Sequence, residues 1–186
     1  MDDVDTLVSR ARGGDAAAFG ALFDQFHPRV YRYLTARLGS RDVAEDMAAE
    51  VFVEVAERLH RFQGDGAGFQ SWLFTIARHD LADRWRAAAR RVVEPVPEVP
   101  EVAGEADEVE QAVSRTLDLE RVAAGLALIT PDQRDVILLR FASGFSLADT
   151  ADALDKPLTA VKSLQHRGLA ALRRILSSEE VVEHGD

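Results

Sequence analysis

Lys162, Ser163, His166 and Arg167 follow one another at spacings of one, three and four residues, which gathers them on one side of a helix. Two cations beside a hydroxyl and an imidazole supply charge for phosphates and hydrogen-bonding groups for base edges. Asp46 and Glu50, four residues apart, place two carboxylates together in a strongly acidic stretch. The adjacent His79 and Asp80 suggest a different chemistry, because such pairs occur in metal-dependent phosphohydrolases. A centre of that kind needs further ligands converging from other elements. The other histidines, His27, His60, His166 and His184, have no metal-ligand spacing, and neither a phosphate loop nor a nucleophile elbow is present. Cysteine is absent, which excludes thiolate zinc sites and a thiol nucleophile. The expectation is a chain that binds rather than catalyses, with no metal and no cofactor.

A length of 186 residues, 47% of them hydrophobic, suffices for one ordinary domain or two small ones. The formal net charge of −10 argues against a nucleic-acid partner until its distribution is considered. Residues 92–120 alone contribute −8 of it, leaving the two flanking parts nearly neutral. Two stretches carry only positive charge: 84–91, with Arg84, Arg86, Arg90 and Arg91, and 156–178, with Lys156, Lys162, Arg167, Arg173 and Arg174. These are candidate phosphate-binding faces, with a solvated helix surface as the competing reading for each. The N-terminus is acidic where a signal peptide is basic, and no apolar run reaches the ~18 residues of a membrane span. A cytoplasmic protein with no membrane insertion is expected.

The elements that would position these residues read as all-α: two small helical domains joined by a flexible acidic linker. Asp15 is placed to cap a helix carrying Phe19, Leu22, Phe23 and Phe26. His27-Pro28 suggests an interruption, with a second helix running through Tyr31 and Leu34 to Gly39. Val43, Met47, Val51, Val55 and Leu59 mark one face of a long helix from Asp42 to about Phe62, with acids largely elsewhere. The glycine-rich 63–68 predicts a loop, and a further helix runs from about Phe69 to Arg91. Residues 92–110, with three prolines and spaced acids, read as an extended linker. A second helical unit begins near Gln111 and extends to 177. Within it Thr130-Pro131 starts one helix, Gly144 ends it, Ser146 caps a short helix over 147–154, and a last helix runs to about Leu176. Residues 178–186 read as a loose tail.

The sharpest local pattern is Leu147 to Lys162. A helix-turn-helix needs a small residue where its helices cross, a sharp turn four residues on, and an aliphatic ten residues after the small one. Ala151, Asp155 and Val161 occupy those places, with Leu154 and Leu164 as supporting core. Asp stands where Gly is commonest, and Asp tolerates the left-handed conformation. On the last helix Val161, Leu164, Leu169 and Leu172 are expected inside, opposite the four residues named first.

Taken in order, these segments resemble the extracytoplasmic-function sigma factors of bacterial RNA polymerase. Gly14-Asp15-Ala-Ala-Ala-Phe19, Ala44-Glu-Asp-Met-Ala-Ala-Glu-Val-Phe52 and Phe69-Gln-Ser-Trp-Leu-Phe-Thr-Ile-Ala-Arg78 resemble the family's opening, its polymerase-binding helix and its promoter-opening segment. Leu128-Ile-Thr-Pro-Asp-Gln-Arg-Asp-Val-Ile137 and Ala160-Val-Lys-Ser-Leu-Gln-His-Arg167 resemble its promoter-recognition domain. The resemblance implies a factor that binds core RNA polymerase and directs initiation at promoters. Domain 1–91 would dock polymerase, with Asp46 and Glu50 on the coiled coil of the largest subunit, and would melt and read the −10 element. The implied −10 set is Gly64, Asp65, Phe69, Arg78, His79, Arg84 and Arg86. In domain 111–177, Lys162, Ser163, His166 and Arg167 would read the −35 element. Ala49 and His79 depart from the family's usual Gln and Asn. The resemblance further implies an anti-sigma factor as a partner.

Competing readings remain for several of these residues. Asp46 and Glu50 also suit a merely solvated face, and Trp72, Leu73, Phe74 and Ile76 suit a core better than a base-stacking platform. Trp85, between Arg84 and Arg86, fits either contact with DNA or polymerase or local packing. The alternative function is a stand-alone helix-turn-helix regulator that binds operators as a dimer.

Overall fold

The computed structural model describes residues 3–91 and 121–183, and among these every regular element is helical. Helix α1, Val4–Arg12, is capped by Asp3, whose carboxylate accepts from the Thr6 N–H at 2.8 Å. Helix α2, Ala16–Leu38, starts as the sequence suggests, with Asp15 accepting from the Ala17 and Ala18 N–H groups. It does not break at His27-Pro28: Pro28 lies inside one continuous helix. A proline forfeits one N–H bond and crowds the preceding turn. Here Leu22, Phe26, Val30 and Leu34 form a single fully buried stripe across that position. The apolar burial that a break would sacrifice outweighs one lost bond.

Ser40 caps α3, Arg41–Arg58, which tightens into a short 3₁₀ turn, Leu59–Arg61. The following loop is shorter than the glycines suggest, because α4, Gly66–Arg91, takes Gly66 and Gly68 into its first turn. First-turn N–H groups lack intrahelical partners, so side chains can satisfy them. Asp65 accepts from Gly68 N–H at 2.8 Å, and the Asp5 carboxylate of α1 accepts from Gly66 N–H. A side chain at position 66 would collide with Val4, its Cβ only 2.8 Å away, so glycine lets α1 lie across the start of α4. The core of this unit is aromatic: Phe26 and Phe69 meet edge to face, as do Phe23 and Phe52, and Tyr33 and Phe74. Leu73, Phe74 and Ile76 are buried, and Trp72 is partly buried against Phe62.

In the second unit a helix over 121–128, α5, precedes α6, Pro131–Ile137. Thr130 and Gln133 form a capping box with Pro131 in the first turn. The helix widens into a π turn, Leu138–Ala142, and stops before Gly144, whose φ is 75°. Ser146 and Asp149 cap α7, Leu147–Leu154, and Asp155 takes the left-handed conformation, φ 48° and ψ 48°, that starts the turn into α8, Leu158–Glu183. That last helix passes the expected end at Leu176, so 178–183 are helical rather than a loose tail. Leu169 is also a correction: it is 39% exposed, while Val161 is fully buried and Leu164 and Leu172 partly so. The α6–α8 crossing is close enough that a Cβ at Gly168 would come within 2.9 Å of Ile137. That closeness brings Ile137 and Val161 into the buried core and leaves position 169 on the rim. The acidic 92–110 segment and the start of the second unit at Gln111 lie outside the described residues.

The two units lie against each other, α7 on α4 and the π turn of the second unit on α2. Phe74 of α4 meets Phe145 edge to face at 4.7 Å. Ser71 Oγ and Thr75 Oγ1 reach the Asp149 and Ala153 carbonyls at 3.4 and 3.5 Å, and Arg78 Nη1 donates to the Ala153 carbonyl at 2.8 Å.

Candidate nucleic-acid interface

The helix-turn-helix is held by local chemistry. Ala151 and Leu154 of α7 and Val161 of α8 are buried at the crossing, and Lys156 N–H donates back to the Ala151 carbonyl at 3.0 Å across the left-handed Asp155. Lys156 Nζ pairs with Asp132 at 3.0 Å, tying the turn to the start of α6. With Val161 pinned inside, Lys162, Ser163, His166 and Arg167 are all exposed on the outer side of α8. Arg167 Nε reaches only its own helix, the Ser163 carbonyl at 3.4 Å. The structure therefore brings together all four residues grouped from their spacing, next to one another and open to solvent.

The first unit is different. Asp46 and Glu50 are both exposed on α3, four residues apart, while Met47, Val51 and Val55 face the core. The residues expected at the −10 element are strung along α4: at ~1.5 Å per residue, Asp65 and Arg86 stand about 30 Å apart. Asp65 serves as the α4 cap. Gly64 holds its loop against the Phe62 ring, which a Cβ there would meet at 2.7 Å. Phe69 is fully buried among Phe26, Phe62 and Trp72 and offers no surface to a base. Arg78 turns toward the second unit, whereas His79, Arg84 and Arg86 are exposed. Arg86 pairs with Asp83 on the same helix. Trp85 is 40% exposed, with the Arg37 guanidinium 4.5 Å above its ring, so local packing accounts for one face of it. An open cleft of about 380 Å³ lined by Arg58, Arg61, Phe62 and Trp72 adjoins the loop. It joins Arg58, Arg61 and Phe62, from the end of α3 and the turn after it, to Trp72 of α4.

Two electrostatic clusters were not legible from spacing. Asp80 has its pKa raised, first by burial and then by Glu54, Asp83 and Glu50, so α3 and α4 share an acidic ridge. The other joins the units: buried Asp135 of α6 accepts from Tyr33 Oη at 3.0 Å and lies 3.4 Å from Arg37 Nη1 and 3.7 Å from Arg78 Nε. The Arg37 contact is an ion pair without hydrogen-bond alignment, and its Nε and Nη1 make no hydrogen bond. Burial, reinforced by the Asp135 carboxylate, pushes the Tyr33 phenol up, so it remains a donor. Among the described residues no group of three His, Cys, Asp or Glu side chains is placed to hold a metal ion.

An exposed basic and polar face on the second helix of a helix-turn-helix defines a DNA-binding protein built from two helical units. Comparison with known proteins makes the class specific. Residues 22–91 match the family model "Sigma-70 region 2", and residues 125–174 match "Sigma-70, region 4". The chain is 34% identical over 173 residues to the ECF RNA polymerase sigma factor BldN of Streptomyces coelicolor, covering 93% of this chain and 66% of that one. It is also 34% identical over 180 residues to the ECF RNA polymerase sigma factor ShbA of Streptomyces griseus, covering 92% of this chain and 94% of that one. Among solved structures it is similar to the sigma factor RpoE of Bartonella quintana, crystallised in complex with the anti-sigma factor NepR. That match has a TM-score of 0.66 at 25% identity and covers 86% of this chain and 96% of that one. The chain belongs to the ECF sigma factors of RNA polymerase.

Proposed function

We propose that this chain directs promoter-specific initiation by dividing the work between its units. The first, 1–91, holds core RNA polymerase through Asp46 and Glu50 on the coiled coil of the largest subunit. It also contacts the melted −10 element with the loop before α4 and with Arg78, His79, Arg84 and Arg86. The second, 111–177, lays α8 in the major groove of the −35 element and reads it with Lys162, Ser163, His166 and Arg167. Phe69 is left out of the DNA-facing set because it is buried. The observation that carries this reading is the α8 face: four donors and acceptors, exposed together on the groove-entering helix of a family member. It acts by binding, without chemistry of its own, and its place of work is the cytoplasm, where the polymerase is. No helix among the described residues is long and apolar enough to cross a membrane. Regulation by an anti-sigma protein follows from the relative that was crystallised with one.

Run-off transcription with core polymerase on a genomic fragment library tests the proposal: discrete transcripts should depend on the added chain. Replacing Asp46 and Glu50 together with Ala should abolish those transcripts and retention on core polymerase while leaving the melting temperature unchanged, since exposed carboxylates cost little stability when removed. Unaltered retention would reject the docking assignment. Nanomolar, sequence-specific binding to duplex DNA without polymerase would instead favour a stand-alone regulator.

A further inference from the structure

The loop that joins the 3₁₀ turn to α4 is gripped at both ends by α1. Arg12 Nη1 donates to the Phe62 carbonyl at 3.4 Å, where the loop begins, and the Asp5 carboxylate accepts from the Gly66 N–H, where it ends. Asp5 and Arg12 stand two helical turns apart, which puts them on one side of α1 with about 10 Å between them. Helix α1 is itself anchored by the buried Leu7 and Val8 and lies against α4 and the 3₁₀ turn. Between the two held ends Gln63, Gly64 and Asp65 stand exposed. Exposed side chains such as Asp5 and Arg12 are ordinarily left to solvent; here each is committed to a main-chain group 61 or 50 residues further along the chain. A glycine-containing loop loses backbone freedom when it takes hold of a partner, and fixing it beforehand moves that cost from binding to folding. Holding Phe62 by its carbonyl also steadies its ring, which stacks on Trp72 at 4.9 Å and with Arg58 and Arg61 lines the neighbouring cleft.

We infer that Asp5 and Arg12 are positioning residues for the −10 contact: α1 sets the shape of the loop 62–66, and with it the cleft alongside, before melted DNA arrives. This deepens the function proposed above and rests on the −10 role given there to the loop. Neither residue has to touch DNA. Removing either side chain leaves Leu7, Val8 and the buried row of α4 in place, so what opens is the loop and not the unit.

The full chain offers two readouts. Hydrogen exchange at the Gly66 amide, a first-turn N–H with no intrahelical partner, should quicken about tenfold in Asp5→Ala, while amides in the middle of α3 and α4 keep their protection. On a promoter recovered by run-off transcription, holoenzyme carrying Asp5→Ala or Arg12→Ala should bind the −10 single strand about tenfold more weakly, the size of one lost charge-assisted hydrogen bond. Retention on core polymerase and affinity for the −35 duplex should not change. Abasic substitutions scanned along the single strand should couple to both variants only at the position the loop contacts, whereas a merely destabilised unit would weaken every position alike. Asp5→Asn keeps an acceptor and Arg12→Lys a donor, so each should restore much of the loss. Circular dichroism checks folding; should Asp5→Ala lose helix, Arg12→Ala, at the last position of α1, decides. Unchanged exchange at Gly66 in a folded Asp5→Ala overturns the grip, and unaltered strand binding in both Ala variants overturns the positioning role. An unsubstituted holoenzyme that shows no base preference along the −10 strand rejects the −10 reading of the loop itself, and the inference falls with it.

Discussion

On α8, four residues expected to face DNA stand side by side in solvent; on α4, the expected set spans some six helical turns, with one member in the core and another turned onto the other unit. The difference follows from what each helix has to do. Helix α8 is held by one inward row around Val161, leaving its opposite side free. Helix α4 is packed by α1 and α3, through Ser71 and Arg78 by α7, and through Phe74 by Phe145 just before α7, so that its first two thirds are largely claimed and only its last turns stand in solvent. A surface that reads duplex DNA can be compact and preformed. The surface assigned to melted DNA is shared with the packing that closes the molecule.

The comparison is broken most sharply at Phe69. As a core residue, its replacement by Ala should destabilise the first unit by about 3–5 kcal/mol, seen as a large fall in the first unfolding transition. A DNA-facing Phe69 would leave thermal unfolding unchanged and lower only promoter opening. Next in size is Arg167→Ala, which should cost about 1–3 kcal/mol in promoter binding by the holoenzyme and relax preference at one −35 position. Lys162→Ala should weaken all sequences alike and lower the salt slope by about one. Binding to single-base promoter variants at several salt concentrations separates the two, and equal behaviour would remove the base-reading role of Arg167.

The smallest effect concerns the acidic ridge. Because the folded-state pKa of Asp80 is raised, the folded chain holds that proton more tightly than the unfolded one. Stability is lost as pH rises from the ordinary carboxylate value through the raised pKa. Asp80→Asn should therefore raise the melting temperature slightly near neutral pH and make no difference once the carboxyl is protonated in both states. Half-exposed and screened, it should contribute well under the Phe69 effect. A gain that is the same at acid and neutral pH would rule out an electrostatic origin.

What the sequence made legible was local and chemical. Asp15, Thr130 and Ser146 cap helices because their oxygens suit unpaired first-turn N–H groups, and Asp155 turns the chain because Asp tolerates a left-handed backbone. The α8 face was readable because its members lie within one and a half turns. Pro28 misled because local propensity weighs one bond, whereas the buried stripe on either side belongs to a core assembled from three other helices. Gly66 misled in the same way: its role is close approach by α1, a helix that no long apolar pattern announces, while Gly68 enters the first turn with its N–H held by Asp65. The cluster around Asp135 joins positions 33, 37, 78 and 135, with no shared periodicity to reveal it.

The separation of 102 residues from Tyr33 to Asp135 also sets an order of events during synthesis. At roughly 5–20 residues per second, the first unit is complete several seconds before Asp135 leaves the ribosome. Throughout that interval Tyr33, Arg37 and Arg78 have water where the carboxylate will later sit, and the α4 face is open. A nascent chain is thus born with its first unit uncovered, and the cover is the last part to arrive. Until the second unit arrives, the α4 face carrying Ser71, Phe74, Thr75 and Arg78 lacks the contacts that later cover it.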